Sequence, residues 1–104
     1  MEKSQLPYTL GNWSVKPGNE GAFISEWKTF AAWTARNHPG AGTGYLLQDP
    51  EHPQQFVSFG SWESTEIIQD WRKSSEFQAF VTKVKTLCDG FQPHTLRLVT
   101  TSEQ

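Results

Sequence analysis

Only one cysteine, Cys88, occurs in the 104 residues, so no intrachain disulfide can form and an oxidising compartment is not implied. Aliphatic runs are scarce. Leu46-Leu47 and Ile67-Ile68 are the only Leu-Leu and Ile-Ile doublets, and no segment is long or apolar enough to cross a bilayer. The opening Met1-Glu2-Lys3-Ser4-Gln5-Leu6-Pro7 has no apolar run resembling a signal peptide. Basic charge is also sparse. Nine Lys and Arg stand against eleven Asp and Glu, a net charge of −2. The basic residues are spread along the chain, whereas phosphate binding needs them clustered, so a nucleic-acid partner is not expected. The histidines, His38, His52 and His94, lie far apart with no metal-ligand spacing. No Ser-His-Asp set, phosphate loop or paired-carboxylate motif is visible. These absences leave the expectation of a soluble, cytoplasmic protein with neither a metal nor a membrane partner.

What the chain does have is aromatic area: five Trp, seven Phe and two Tyr. Rings of this size can build a core that is poor in Leu and Ile, and the length fits one domain spanning 1–104. Residues 1–7 read as a loose arm and 101–104 as a polar tail. Tyr8–Val15 predicts a first strand, with Leu10, Asn12 and Ser14 on one side and Gly11, Trp13 and Val15 on the other. Lys16-Pro17-Gly18 is a turn, and Asn19 can cap a helix. Phe23, Trp27, Phe30, Ala31 and Thr34 make the apolar stripe of that helix, which Asn37-His38-Pro39-Gly40 ends. Strands follow at Thr43–Gln48 and Phe56–Trp62, paired as an antiparallel hairpin. Ser64 or Thr65 caps a short helix carrying Ile67, Ile68 and Trp71. After a break at Lys73-Ser74-Ser75, a second helix carries Phe77, Phe80, Val81, Val84 and Cys88 at helical spacing. Gly90 is read as the left-handed residue ending it, and Thr95–Thr100 as the last strand. The order β-α-β-β-α-β matches the ferredoxin-like α+β arrangement with an antiparallel sheet.

A sheet with helices on one face should present polar residues on the other. The third strand does not: Phe56, Ser58, Gly60 and Trp62 fall on one side, and Val57 and Phe59 on the other. Something must therefore cover the second face, and a second copy of the chain is the economical cover. The expected assembly is a homodimer in the form of a dimeric α+β barrel. On the helix side, Ser58 and Gly60 are small and lie between large aromatics. They would leave a void walled by Trp62, with Asn12 nearby, suited to a small apolar or aromatic molecule.

The layout resembles the antibiotic biosynthesis monooxygenase family of dimeric α+β barrels. The matching pieces are Val15-Lys-Pro-Gly18, Pro39-Gly40, Gln48-Asp-Pro50, Phe56 through Trp62-Glu-Ser64, Asp70-Trp-Arg-Lys-Ser74 and Phe77. The resemblance implies a homodimer with one pocket per subunit, between sheet and helices. Some members oxidise polycyclic phenols to quinones with molecular oxygen and no cofactor. Others bind and break haem, and others have no known reaction. The haem-degrading branch needs a helical histidine where this chain has Phe80 or its neighbours Ala79 and Val81, none of which can ligate iron.

The resemblance implies Trp62 as the pocket tryptophan and Asn12 as the strand-one amide that orients substrate, and these two are the catalytic candidates. From the residues alone, Trp62 also reads as a core aromatic and Asn12 as a solvated strand amide. Tyr45, Ser58, Trp71, Phe77 and Phe80 are the candidate substrate-binding residues. The histidines read as surface groups, Cys88 as a small core hydrophobe, and Arg97 as a dimer-face ion-pair former. The expected function is a cofactor-independent monooxygenase acting on a small aromatic or quinol-type substrate. The alternative is a non-catalytic or stress-related binding module, with haem binding a third reading.

Overall fold

The computed structural model describes residues 6–103. Strand β1 (Pro7–Val15) is followed by helix α1 (Glu20–Asn37), strands β2 (Ala41–Gln48) and β3 (Gln55–Trp62), helices α2 (Thr65–Lys73) and α3 (Ser75–Leu87), and strand β4 (Cys88–Arg97). The four strands form one antiparallel sheet in the order β2-β3-β1-β4. This is the ferredoxin-like α+β arrangement, with the second helical segment split in two. Residues 1–5 of the expected arm and Gln104 of the tail lie outside the described residues. Pro7 opens β1, and the Leu6 carbonyl accepts the Leu98 N–H at 3.0 Å.

Local chemistry sets the breaks between elements. Gly18 and Gly40 take φ of +89° and +104°, which other residues rarely adopt, and each turns the chain at one end of α1. Asn19 occupies the N-cap position of α1 without a side-chain cap bond, while Glu20 accepts the Gly18 N–H at 3.0 Å instead. Ser64 caps α2 through the Ile67 N–H at 3.3 Å. Ser74 caps α3 through the Phe77 N–H at 3.1 Å and also donates to the Trp71 carbonyl at 2.7 Å. One serine thus closes α2 and opens α3.

The last strand departs from expectation. It begins at Cys88, directly after Leu87, and Gly90 lies within it at an ordinary negative φ. Asp89, Gly90 and Pro93 are poor strand formers, but β4 pairs only with β1. An edge strand tolerates a proline because the missing N–H can face away from the ladder. Val99 and Thr100 lie beyond the strand. Arg97 pairs with Pro7 and so shares the side of Thr9 and Gly11, toward the helices rather than the dimer face assigned to it from sequence.

The core gathers Trp13, Val15, Phe23, Phe56, Phe80, Val84 and Cys88 between the sheet and the helices α1 and α3. Trp13 stacks on Phe91 at 3.9 Å between centroids and touches Phe23 at 5.0 Å. Pairing register and burial give the two sheet faces different roles. Thr9, Gly11, Trp13 and Val15 of β1 share the helix side with Phe56, Ser58, Gly60 and Trp62 of β3. On the other side, Tyr45, Phe59, Leu10 and His94 form one row across all four strands, open to solvent. Tyr45, Leu47 and Leu96 are 50%, 53% and 47% exposed there.

Candidate functional site

Small side chains face each other between helix α1 and the β2–β3 half of the sheet. The sheet offers Gly44, Ser58 and Gly60, and the helix offers Ala31, Thr34 and Ala35. These small side chains hold the two layers apart by less bulk than the space requires, and a cavity of about 370 Å³ remains. Trp27, Trp62 and Trp71 wall it, from α1, the end of β3 and α2. Trp62 is 5% exposed and meets Trp71 at 4.8 Å between centroids, tilted by 49°. A second hollow of about 70 Å³ adjoins it, sharing Thr9, Trp27, Phe30, Ser58 and Trp71 as lining. Phe77 and Phe80 face this smaller hollow, with Phe80 stacked on Phe30 at 4.4 Å.

Three indole N–H groups around this space each donate to a hydroxyl. Trp62 Nε1 donates to Thr9 Oγ1 at 3.0 Å, Trp71 Nε1 to Thr34 Oγ1 at 2.9 Å, and Trp13 Nε1 to Ser58 Oγ at 2.9 Å. A buried indole usually finds such a partner, and the bond fixes the plane of the ring. The large cavity therefore has rigid aromatic walls and hydroxyls as its side-chain polar groups. No Asp, Glu, His, Lys, Arg, Cys or Tyr is among the described residues that line it. Arg72 borders the smaller hollow.

The sequence candidates separate cleanly. Trp62, Trp71 and Ser58 line the large cavity, and Phe77 and Phe80 the small one. Asn12 does not join them. It is exposed on the opposite side of the sheet, bordering a surface depression with Leu47 and Val57. Tyr45 is likewise on the open face, stacked on Phe59 at 5.1 Å. Both corrections have one cause: successive strand residues point to opposite faces, so neighbours of Trp13 and Gly44 must turn away from the helices. Thr9, Trp27 and Thr34 were not singled out for the site. Their signals were present, since Thr9 shares the parity of Gly11 and Trp13, and a threonine in an aromatic stripe at helical spacing carries a hydroxyl toward the core.

Other titratable groups lie elsewhere. Burial pushes the Cys88 thiol above its ordinary value, and the thiol sits in the core cluster. Asp49 is held below the usual carboxylate range by the Glu51 backbone N–H and by His52, whose ring lies 3.2 Å away in the β2–β3 loop. His38 meets the edge of Trp33 at 5.3 Å, and His94 pairs with Leu10 on the open face. Among the described residues no group of His, Cys, Asp and Glu could hold a metal ion. Haem iron would find no imidazole, thiolate, thioether or phenol lining the large cavity, so the residues present do not fit that group. No helix among the described residues is long and apolar enough to cross a membrane.

Many solved structures share this fold. The chain superposes on SnoaB of Streptomyces nogalater, a cofactor-independent oxygenase, with a TM-score of 0.87 and 18% identity, covering 96% of this chain and 99% of that one. PA3566 of Pseudomonas aeruginosa gives a TM-score of 0.80 at 17% identity, covering 96% and 100%. At such identities the likeness concerns the fold. No curated protein sequence matches the chain. The family model for antibiotic biosynthesis monooxygenase matches residues 8–83, which takes in every element from β1 to most of α3. On that match, the chain belongs to the antibiotic biosynthesis monooxygenase family.

Proposed function

We propose that the chain is a cofactor-independent monooxygenase that oxidises a small, flat, electron-rich aromatic or quinol-type molecule with molecular oxygen, acting as a cytoplasmic homodimer. The observation that carries this reading is the cavity walled by Trp27, Trp62 and Trp71, free of charged side chains, in a chain of this family. Triplet oxygen reacts poorly with closed-shell molecules. The protein's contribution is then to hold a deprotonated, electron-rich substrate in a dry and oriented site. For an activated methylene the balance is R₂CH₂ + O₂ → R₂C=O + H₂O. The proton leaves the substrate carbon, and one oxygen atom ends in the ketone and the other in water. Trp62 acts as a wall that sets the plane of the substrate ring. Asn12 does not line this cavity, so this reading gives it no substrate-orienting role there.

The alternative is a non-catalytic module binding a similar molecule. One observation favours it: no side chain lining the large cavity can take up a proton near neutral pH. Oxygen uptake with anthrone, compared between wild type and Trp62→Ala, separates the readings. Uptake above the protein-free rate that falls at least about tenfold in the variant supports catalysis, a drop equivalent to about 1.4 kcal/mol of barrier. Uptake at the protein-free rate in both proteins leaves the binding module.

The open sheet face supports the homodimer. Tyr8, Leu10, Val57 and Phe59, with the exposed Tyr45 and Leu47, make an apolar surface that no helix among the described residues covers. Soluble proteins rarely leave such a patch bare. Light scattering at micromolar concentration tests the assembly, and a mass of one chain, 11.8 kDa, would contradict it.

A further inference from the structure

We propose that the large cavity selects ligands by hydrogen-bond polarity: it favours flat molecules that present a carbonyl or ionised phenol oxygen over equal-sized molecules that present none. The inference rests on the cavity being the ligand site, as in the functional reading above, and adds the chemical class that the site prefers.

The argument starts from hydrogen-bond capacity. A hydroxyl has one hydrogen to donate and two lone pairs to receive. Thr9, Ser58 and Thr34 each receive an indole N–H, at 3.0, 2.9 and 2.9 Å. None of the three hydroxyls donates to a protein acceptor among the described residues. All three line the cavity. Trp62, Trp13 and Trp71 have thus spent their indole hydrogens, and the hydroxyl hydrogens remain available to a guest. A hydroxyl that already accepts a bond is polarised into a better donor. A ligand donor could use the remaining lone pair, but the hydroxyl hydrogen would then stay unpaired between aromatic walls, at the cost of an unmade bond. Only an acceptor completes the set.

Position matters as well. Thr9 pairs with Gly60, and Gly11 with Ser58, so Thr9 and Ser58 are diagonal neighbours on adjoining strands, on the floor of the cavity. Thr34 is on α1 and meets the guest from the helix side. Its hydroxyl is bound to Trp71 of α2, so the same bond that supplies the donor also sets a wall.

The test compares 9-fluorenone with fluorene, near-isosteric tricycles that differ by a carbonyl oxygen. Equilibrium dialysis with ligand measured by chromatography reads both affinities. The carbonyl makes fluorenone the more water-soluble of the two, so a preference for it must come from the site. Wild type is expected to bind fluorenone about tenfold more tightly, the size of one well-made hydrogen bond. In Ser58→Ala and Thr34→Val the preference should shrink toward about twofold, while Thr34→Ser, which keeps the hydroxyl, should retain it. Near-UV circular dichroism confirms that each variant is folded, and a variant that is not folded is replaced by Thr9→Val against Thr9→Ser. Equal affinity of wild type for both ligands overturns the selectivity and leaves the cavity as a binding site. A preference that survives loss of the hydroxyls also overturns it. Binding of neither ligand overturns this inference together with the choice of cavity. A clear preference with no oxygen uptake removes only the monooxygenase reading.

Discussion

Gly11 is a tight point beside the smaller hollow. A Cβ there would stand 2.9 Å from Trp13 Nε1, 3.0 Å from Ser58 Oγ and 3.0 Å from Phe91 Cε1. It would wedge into the Trp13–Ser58 hydrogen bond and the Trp13–Phe91 stack together. Gly11→Ala should therefore lower stability by about 1–3 kcal/mol, the usual cost of overpacking, measured by urea unfolding. Phe80→Ala removes the ring that stacks on Phe30 and should cost about 3–5 kcal/mol in the same assay. Cys88 offers a chemical check. Its thiol is 8% exposed, and burial raises it above the ordinary 9.0. The native protein should react slowly with a thiol-specific disulfide reagent at neutral pH, and at the free-thiol rate once unfolded. Because the folded thiol titrates higher than the unfolded one, its contribution to stability is complete below pH 9.0 and is lost as pH rises past that value. At this scale Trp62, Ser58 and Trp71 were legible from strand parity and helical spacing. Asn12 was set near the void although its own parity puts it with Leu10 and away from Trp13, and the family resemblance then gave it a role there. Tyr45 carried too little local pattern among glycines for its direction to be read.

Among the elements, the α2–α3 break bears most on the site. Ser74 serves both helices, and Trp71 lies three residues before it. Ser74→Ala should cost about 1 kcal/mol, typical of a lost N-cap, as seen in thermal or urea unfolding. It should also loosen the Trp71 wall, so ligand affinity should fall with it. The break was readable from Lys73-Ser74-Ser75 because serine offers an oxygen to orphan N–H groups. The start of β4 was not readable. Its Asp89, Gly90 and Pro93 argue against a strand, and only pairing with β1 makes one.

For the whole molecule, the informative feature is a sheet clothed on one side. Alternation in β3 carries this in the sequence itself, since both of its faces hold aromatic residues. The size of the cavity was not announced. It depends on how far α1 stands from the sheet, which follows from Ala31, Ala35, Gly44 and Gly60 acting together across elements far apart in sequence. A charge on the bare face should keep two chains apart. Leu47→Lys is expected to give a monomer by light scattering with an unchanged far-UV spectrum, and a dimer in that variant would place the contact elsewhere. Leu47 points away from the cavity, so ligand binding by the separated chain would show how far each copy works alone.

Helix α3 passes into β4 with no loop between Leu87 and Cys88. That joint has no slack: swinging α3 outward would tug an edge strand out of its ladder. Any breathing of the tryptophan chamber that lets a guest pass is therefore cheaper away from that joint.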